Sequence, residues 1–154
     1  MKTVSLVVTA LVFAATIGYL GMCPCGPMPG AWLWGDDAEG PIEDWSFVND
    51  RDLTPLCQVQ ITTWRPHSIN LNCMSFGGEL FVSCSQCAGK TWSTNALSHP
   101  AGHIRAAGTV YPVTLTRVKG AERLDSIWEA RLQKIQGEAQ PRPDHWWSFQ
   151  LVSR

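Results

Sequence analysis

Between Lys2 and Asp36 lie 33 residues without a single Asp, Glu, Lys or Arg. A run of that kind excludes a plain cytosolic globule made from the whole chain. Its first part, Val4 to Leu20, reads VSLVVTALVFAATIGYL, with only Ser5, Thr9 and Thr16 as mild polar interruptions. At about 1.5 Å per residue it makes a helix of roughly 25 Å. That is slightly short of a hydrocarbon core of about 30 Å, and Gly21 and Met22 can extend it. Residues 1–22 are therefore expected to be an uncleaved membrane anchor. A cleaved signal peptide and a buried core helix are the alternatives. Lys2 supplies a basic start, but no A-x-A site follows the run. Met22 stands where a lipoprotein signal has a small residue before Cys23.

Charge sets the orientation. Lys2 precedes the segment, and the next charges are Asp36, Asp37, Glu39, Glu43 and Asp44. The positive end stays in the cytoplasm, so the body is expected outside it, with a secreted or periplasmic protein as the outcome of cleavage. An outward body meets an oxidising compartment, where cysteines can pair.

The remainder divides in two. Cys23 to Gly30, CPCGPMPG, is too rich in Pro and Gly for a helix or central strand. From Asp36 to Asp52 there are seven acids and one Arg, which reads as a solvated face or spacer. Trp32, Trp34 and Trp45 lie in or beside it and could sit at a membrane interface or cover the core. Residues 23–52 are thus expected as a spacer and residues 53–154 as the folded domain. That domain carries ten Lys or Arg against six Asp or Glu. The net charge of -1 for all 154 residues hides the two opposite segments, and it argues against nucleic-acid binding. With 45% hydrophobic residues, the chain is too apolar for disorder.

The body reads as strands first. Gln58 to Thr63 is a short β-rich run. Ile69, Leu71 and Cys73 alternate with Asn70, Asn72 and Met74, a period of two. Gly77-Gly78 is a hairpin turn, and Glu79 to Ser83 returns. Thr91 to Leu97 is a short helix ending before Pro100. His103 to Ala106 and Thr109 to Lys119 form a second hairpin about Gly108. From Ala121 to Gln136, Leu124, Ile127, Trp128, Leu132 and Ile135 recur at helical spacing, with Gly137 as the stop. Trp146 to Val152 closes the domain. This order predicts a small antiparallel barrel with helices at its openings.

The cysteines leave several chemistries open. Cys84-Ser85-Gln86-Cys87 is a C-x-x-C and Cys23-Pro24-Cys25 a C-x-C. Together they could hold zinc, and the first could serve thiol redox ahead of a helix. Disulfides or buried thiols are the plainer reading, and Cys57 and Cys73 read as core residues. His99 and His103 cannot share a helical face across Pro100 and Gly102, and no metal site is expected. The stretch Ser83 to Pro100 places hydroxyls and Lys90 at a helix start. That suits a phosphate, or it is an ordinary loop with a solvated lysine.

Four motifs in order then carry a resemblance. They are Arg65-Pro66-His67-Ser68-Ile69-Asn70, Phe76-Gly77-Gly78-Glu79-Leu80-Phe81-Val82, Trp92-Ser93-Thr94-Asn95 with Pro100, and Gly108-Thr109-Val110-Tyr111-Pro112-Val113 with Arg117-Val118. Val59 to Val118 resembles the split-barrel flavin-binding proteins, above all the deazaflavin-dependent nitroreductases and pyridoxamine-phosphate-oxidase-like proteins. Asn70 stands where that family often has Pro, and the run from Ser83 to Lys90 is longer than usual. The resemblance implies a mainly β fold: a six-stranded antiparallel split β-barrel with flanking helices, here preceded by a hydrophobic helix. It implies a homodimer holding FMN or a deazaflavin between subunits, and an oxidoreductase in which no side chain needs to act as acid or base. By position, Ser83, Ser85, Lys90 and Thr91 would lie near the cofactor phosphate. Asn70 and Asn72 could line the ring, and Trp92 and Asn95 either join the site or serve packing and capping. The alternatives are a non-catalytic split barrel binding a small ligand such as haem, and a thiol redox or structural protein using Cys84 and Cys87.

Overall fold

The computed structural model describes residues 2–21 and 29–154. Cys23, Cys25 and most of the Pro/Gly-rich connector lie outside the described residues.

Helix α1, Lys2–Leu20, is apolar on every side and stands clear of the body for most of its length. Its polar interruptions are absorbed locally. Thr9 Oγ1 donates to the Ser5 carbonyl at 2.9 Å and Thr16 Oγ1 to the Val12 carbonyl at 2.8 Å, so neither hydroxyl is left unpaired in an apolar solvent. Thr3–Leu20 has the length and apolarity of a membrane span or a signal sequence.

Six antiparallel strands form the body: β2 (Cys57–Ile61), β3 (His67–Phe76), β4 (Glu79–Ser85), β5 (Ala101–Ala106), β6 (Thr109–Arg117) and β7 (Trp146–Ser153). They pair in the order β6-β5-β2-β3-β4-β7, and β7 returns to β6, closing the barrel. Closure leaves no long free edge among the described strands. A two-residue strand, β1 (Asp36–Asp37), pairs in parallel with Thr109 and Val110. Gly77 and Gly78 turn the β3–β4 hairpin with φ of 61° and 81°, the geometry that matches strand twist in a two-residue loop. Close approach explains Gly102: a Cβ there would lie 2.5 Å from the Gln60 carbonyl oxygen of the neighbouring strand.

Period-two alternation separates two cores. Val59, Leu71, Cys73, Val82, Ile104 and Phe149 face the barrel interior. Met74, Phe81 and Trp146 face outward and are covered by α3 (Ala121–Ile135) through Ile127, Trp128 and Leu132. The α3 stripe is therefore the expected one. The helix ends a residue earlier than expected, because Gln136 takes the left-handed conformation at φ 53°. The short helix α2 (Thr91–Ser98) joins β4 to β5 and sends Trp92 and Ala96 into the barrel core.

Residues 29–52 wrap the barrel. Gly30 exchanges two backbone hydrogen bonds with Ser68, and Trp45 N–H donates to the Gly78 carbonyl at 2.9 Å. All seven acidic side chains of the stretch are exposed. Of its tryptophans, Trp45 is in the core against Tyr111, while Trp32 and Trp34 are exposed.

Candidate functional site

The site starts from the loop that ends β4. Gln86 at φ 53° and Gly89 at φ 79° reverse the chain twice. The reversal brings Cys87 back to Cys84, and the two form a disulfide with Cα atoms 5.6 Å apart. Ser93 Oγ donates to the Cys87 and Lys90 carbonyls, and Lys90 Nζ donates to the Ser85 carbonyl at 3.1 Å. This packing fixes the start of α2.

Thr91, Asn95 and His99 recur every four residues, so they share one face of α2 and its cap. That face looks across a groove at the β2–β3 turn, with Thr62, Thr63, Arg65 and His67 on the far wall and Tyr19 of α1 at one side. The groove holds about 670 Å³, within the range of ligand pockets. Arg65 brings a guanidinium, and among the described residues no Asp or Glu lines the cavity. Partial burial lowers the pKa of His67, so its ring is neutral at pH 7 and can both donate and accept. The groove therefore suits a polar or anionic group.

A second groove, of about 660 Å³, lies between the end of α3 and the loop before β2. Asn72, Arg51, Asp52 and Lys134 line it. It arises because β2 begins only at Cys57, opposite Leu71, leaving the last residues of β3 without that neighbour. Side chains take its place. Asn49 bonds both the N–H and the carbonyl of Ser75, at 2.8 and 3.0 Å. Lys134 is only 8% exposed, and its Nζ donates to the carbonyls of Cys73 and Thr54 at 2.8 Å each.

Burial, with a smaller contribution from Arg51, lowers the Lys134 pKa from 10.5 to about 8. The unfolded chain thus holds this proton more tightly than the folded one. Stability should rise as pH climbs from about 8 toward 10.5, because the folded form sheds the proton first. The neutral amine keeps two N–H groups and both carbonyl bonds. Urea titrations across this window should show the rise in the wild type. Lys134→Met should lack it, and equal slopes in both proteins would refute the assignment.

The eight residues singled out in the sequence separate into distinct places. Thr91 and Asn95 line the α2 groove. Asn72 lines the second groove, and Asn70 lies on the same outer face, opposite Gln58. Ser83 is opposite Asn72 and buried. Ser85 and Lys90 are exposed and joined to each other. Trp92 is buried against Phe149, with ring centroids 5.2 Å apart. Arg65, His67 and His99 of the groove were not singled out together; His67 is a lone histidine, and His99 is near His103, not His67, in the sequence. Lys134 gave no signal beyond its place near a helix end. Among the described residues, no group of three His, Cys, Asp or Glu is placed to hold a metal. The other described cysteines, Cys57 and Cys73, form a second disulfide.

No family profile and no curated protein sequence matches this chain. Solved structures do. A candidate pyridoxamine 5'-phosphate oxidase from Listeria innocua aligns with a TM-score of 0.52 at 11% identity, over 69% of this chain and 93% of that one. A conserved hypothetical protein from Mycobacterium tuberculosis aligns with a TM-score of 0.54 at 12% identity, over 77% and 86%. A NimC/NimA family protein from Clostridium acetobutylicum gives 0.46 at 11% identity, over 63% and 72%. At such identities the likeness is one of fold: the body is a six-stranded antiparallel barrel like those of the first two of these proteins, and the chain carries an N-terminal apolar helix.

Proposed function

We propose that this protein is a membrane-tethered oxidoreductase that holds FMN or a deazaflavin at the α2 groove and works as a homodimer outside the cytoplasm. One observation carries the reading. In a split barrel, Thr91 and Asn95 of α2 face Arg65 and His67 across a ligand-sized groove that no carboxylate lines among the described residues. Arg65 offers a planar set of donors for a phosphate, Thr91 and Asn95 add hydroxyl and amide contacts, and neutral His67 can bond a ring heteroatom. A bound flavin-type group would supply hydride or electron transfer. The chain's own part is to bind, orient and shield that group. The two disulfides fit a body in an oxidising compartment.

The test uses the full chain in detergent micelles, titrated with FMN and with a deazaflavin while visible absorbance and fluorescence are followed. One of them should bind, and Arg65→Ala should weaken it about tenfold, the loss of one charged hydrogen bond. If neither binds, the proposal fails. A second reading, thiol exchange, is favoured by the Cys84–Cys87 disulfide just ahead of α2. It requires activity that disappears in Cys84→Ser.

A further inference from the structure

We propose that the β2–β3 turn, residues 62–66, docks into the headgroup layer of the bilayer that α1 enters. The docking needs no bound cofactor, but it shares Arg65 and Trp64 with the α2 groove, so its test is made without added flavin or deazaflavin. Trp64, at the tip of the turn, is 89% exposed, more than any other large apolar side chain among the described residues. The Arg65 guanidinium lies 5.6 Å from its ring. An aromatic ring with a polar edge beside an arginine is the pairing that favours a membrane–water boundary. The ring settles among headgroups, and the arginine lays its stem on apolar surface with its charge at phosphate.

The turn is also at the right height. The Tyr19 hydroxyl donates to the Pro66 carbonyl at 3.0 Å. An apolar groove of about 460 Å³ runs between Arg65 and Pro66 on one side and Val12, Ala15, Thr16, Tyr19 and Leu20 on the other. The turn therefore flanks the C-terminal half of α1, from Val12 to Leu20. Only the Tyr19–Leu20 end of that half lies at the outer boundary of a bilayer core of about 30 Å when α1 crosses it, and the Tyr19–Pro66 hydrogen bond ties the turn to that end.

Charge gives the body the matching polarity. From Leu53 to Gly78 there is no Asp or Glu, and Arg65 is the one Lys or Arg. The acidic stretch is held at the opposite end of the barrel. Asp36 N–H donates to the carbonyl of Gly108, in the β5–β6 turn. Asp44 lies beside Gly78, in the β3–β4 turn. An anionic surface would attract the Arg65 end and repel the other. With the turn seated, the α2 groove, which shares Tyr19, Arg65 and Pro66 with the apolar groove, opens at the membrane surface.

The test compares the full chain and its Trp64→Phe variant in vesicles of phosphatidylcholine and phosphatidylglycerol. The emission difference between them reports Trp64 alone, and its exposure makes the variant safe for folding. That emission should be quenched by lipids brominated just below the headgroup and protected from aqueous acrylamide. Arg65→Glu should reduce the bromolipid quenching severalfold. Free access of acrylamide to Trp64 in vesicles overturns the proposal. Protection from acrylamide without bromolipid quenching overturns it too, because a protein partner or a second copy then covers the turn.

Discussion

Trp92→Ala should lower the stability of the barrel by about 3–5 kcal/mol, the usual cost of deleting a large aromatic from a packed core. Trp92 is the largest fully buried side chain among the described residues and it packs against Phe149. It enters from α2, so its loss also loosens the helix that forms one wall of the groove. Urea unfolding at fixed pH measures the change, and a loss below about 1 kcal/mol would contradict the packing role. Trp92→Phe separates packing from ligand contact. The indole Nε1 is buried with no hydrogen-bond partner among the described residues. Phenylalanine removes that unsatisfied donor while keeping most of the apolar volume, so the two effects offset and the loss is much smaller than for alanine. Ligand affinity should be unchanged in Trp92→Phe. A selective loss of affinity at native stability would instead make Trp92 a contact residue.

The order of strands and helices was legible because the period of the apolar residues changes from two to three or four where the structure changes. Ile69, Leu71 and Cys73 alternate along β3, and Ile127, Trp128 and Leu132 repeat along α3. The role of residues 29–52 was not, because long-range contacts decide it. Val48 has no local pattern to mark it as core, and Asn49 completes a strand edge 26 residues away. Of the candidate groove, Thr91 and Asn95 are named in the sequence only through the resemblance. Helical spacing puts Thr91 and Asn95 on one face, whatever surrounds them. The opposing wall comes from a turn whose position depends on β2–β3 pairing and on α1, and local sequence does not encode that meeting. Lys134 shows the limit most sharply. A lysine in the last turn of a helix normally reads as a solvated charge complementing the helix dipole. It is buried here only because β2 starts late and leaves two carbonyls for it to bond.

Removing the Cys57–Cys73 disulfide should cost about 3 kcal/mol. The bridge links residues 16 apart in sequence with Cα atoms 5.7 Å apart, and closing a loop of that length in the unfolded chain accounts for about that much. The partners belong to adjacent strands and both are fully buried. Cys57→Ala with Cys73→Ala is therefore the cleaner change, since serine would add a buried hydroxyl. The Cys84–Cys87 bridge spans only three positions, and the same relation gives it about 2 kcal/mol. Urea titrations with and without reductant distinguish the two. The wild type should lose the sum of both terms on reduction, and the double alanine variant only the smaller one. A wild type indifferent to reductant would mean that the bridges add nothing to folding. A large loss would support the proposed placement of the body in an oxidising compartment. Expression without an oxidising compartment should then yield a reduced, less stable barrel whose Cys57 and Cys73 react with thiol reagents only on unfolding.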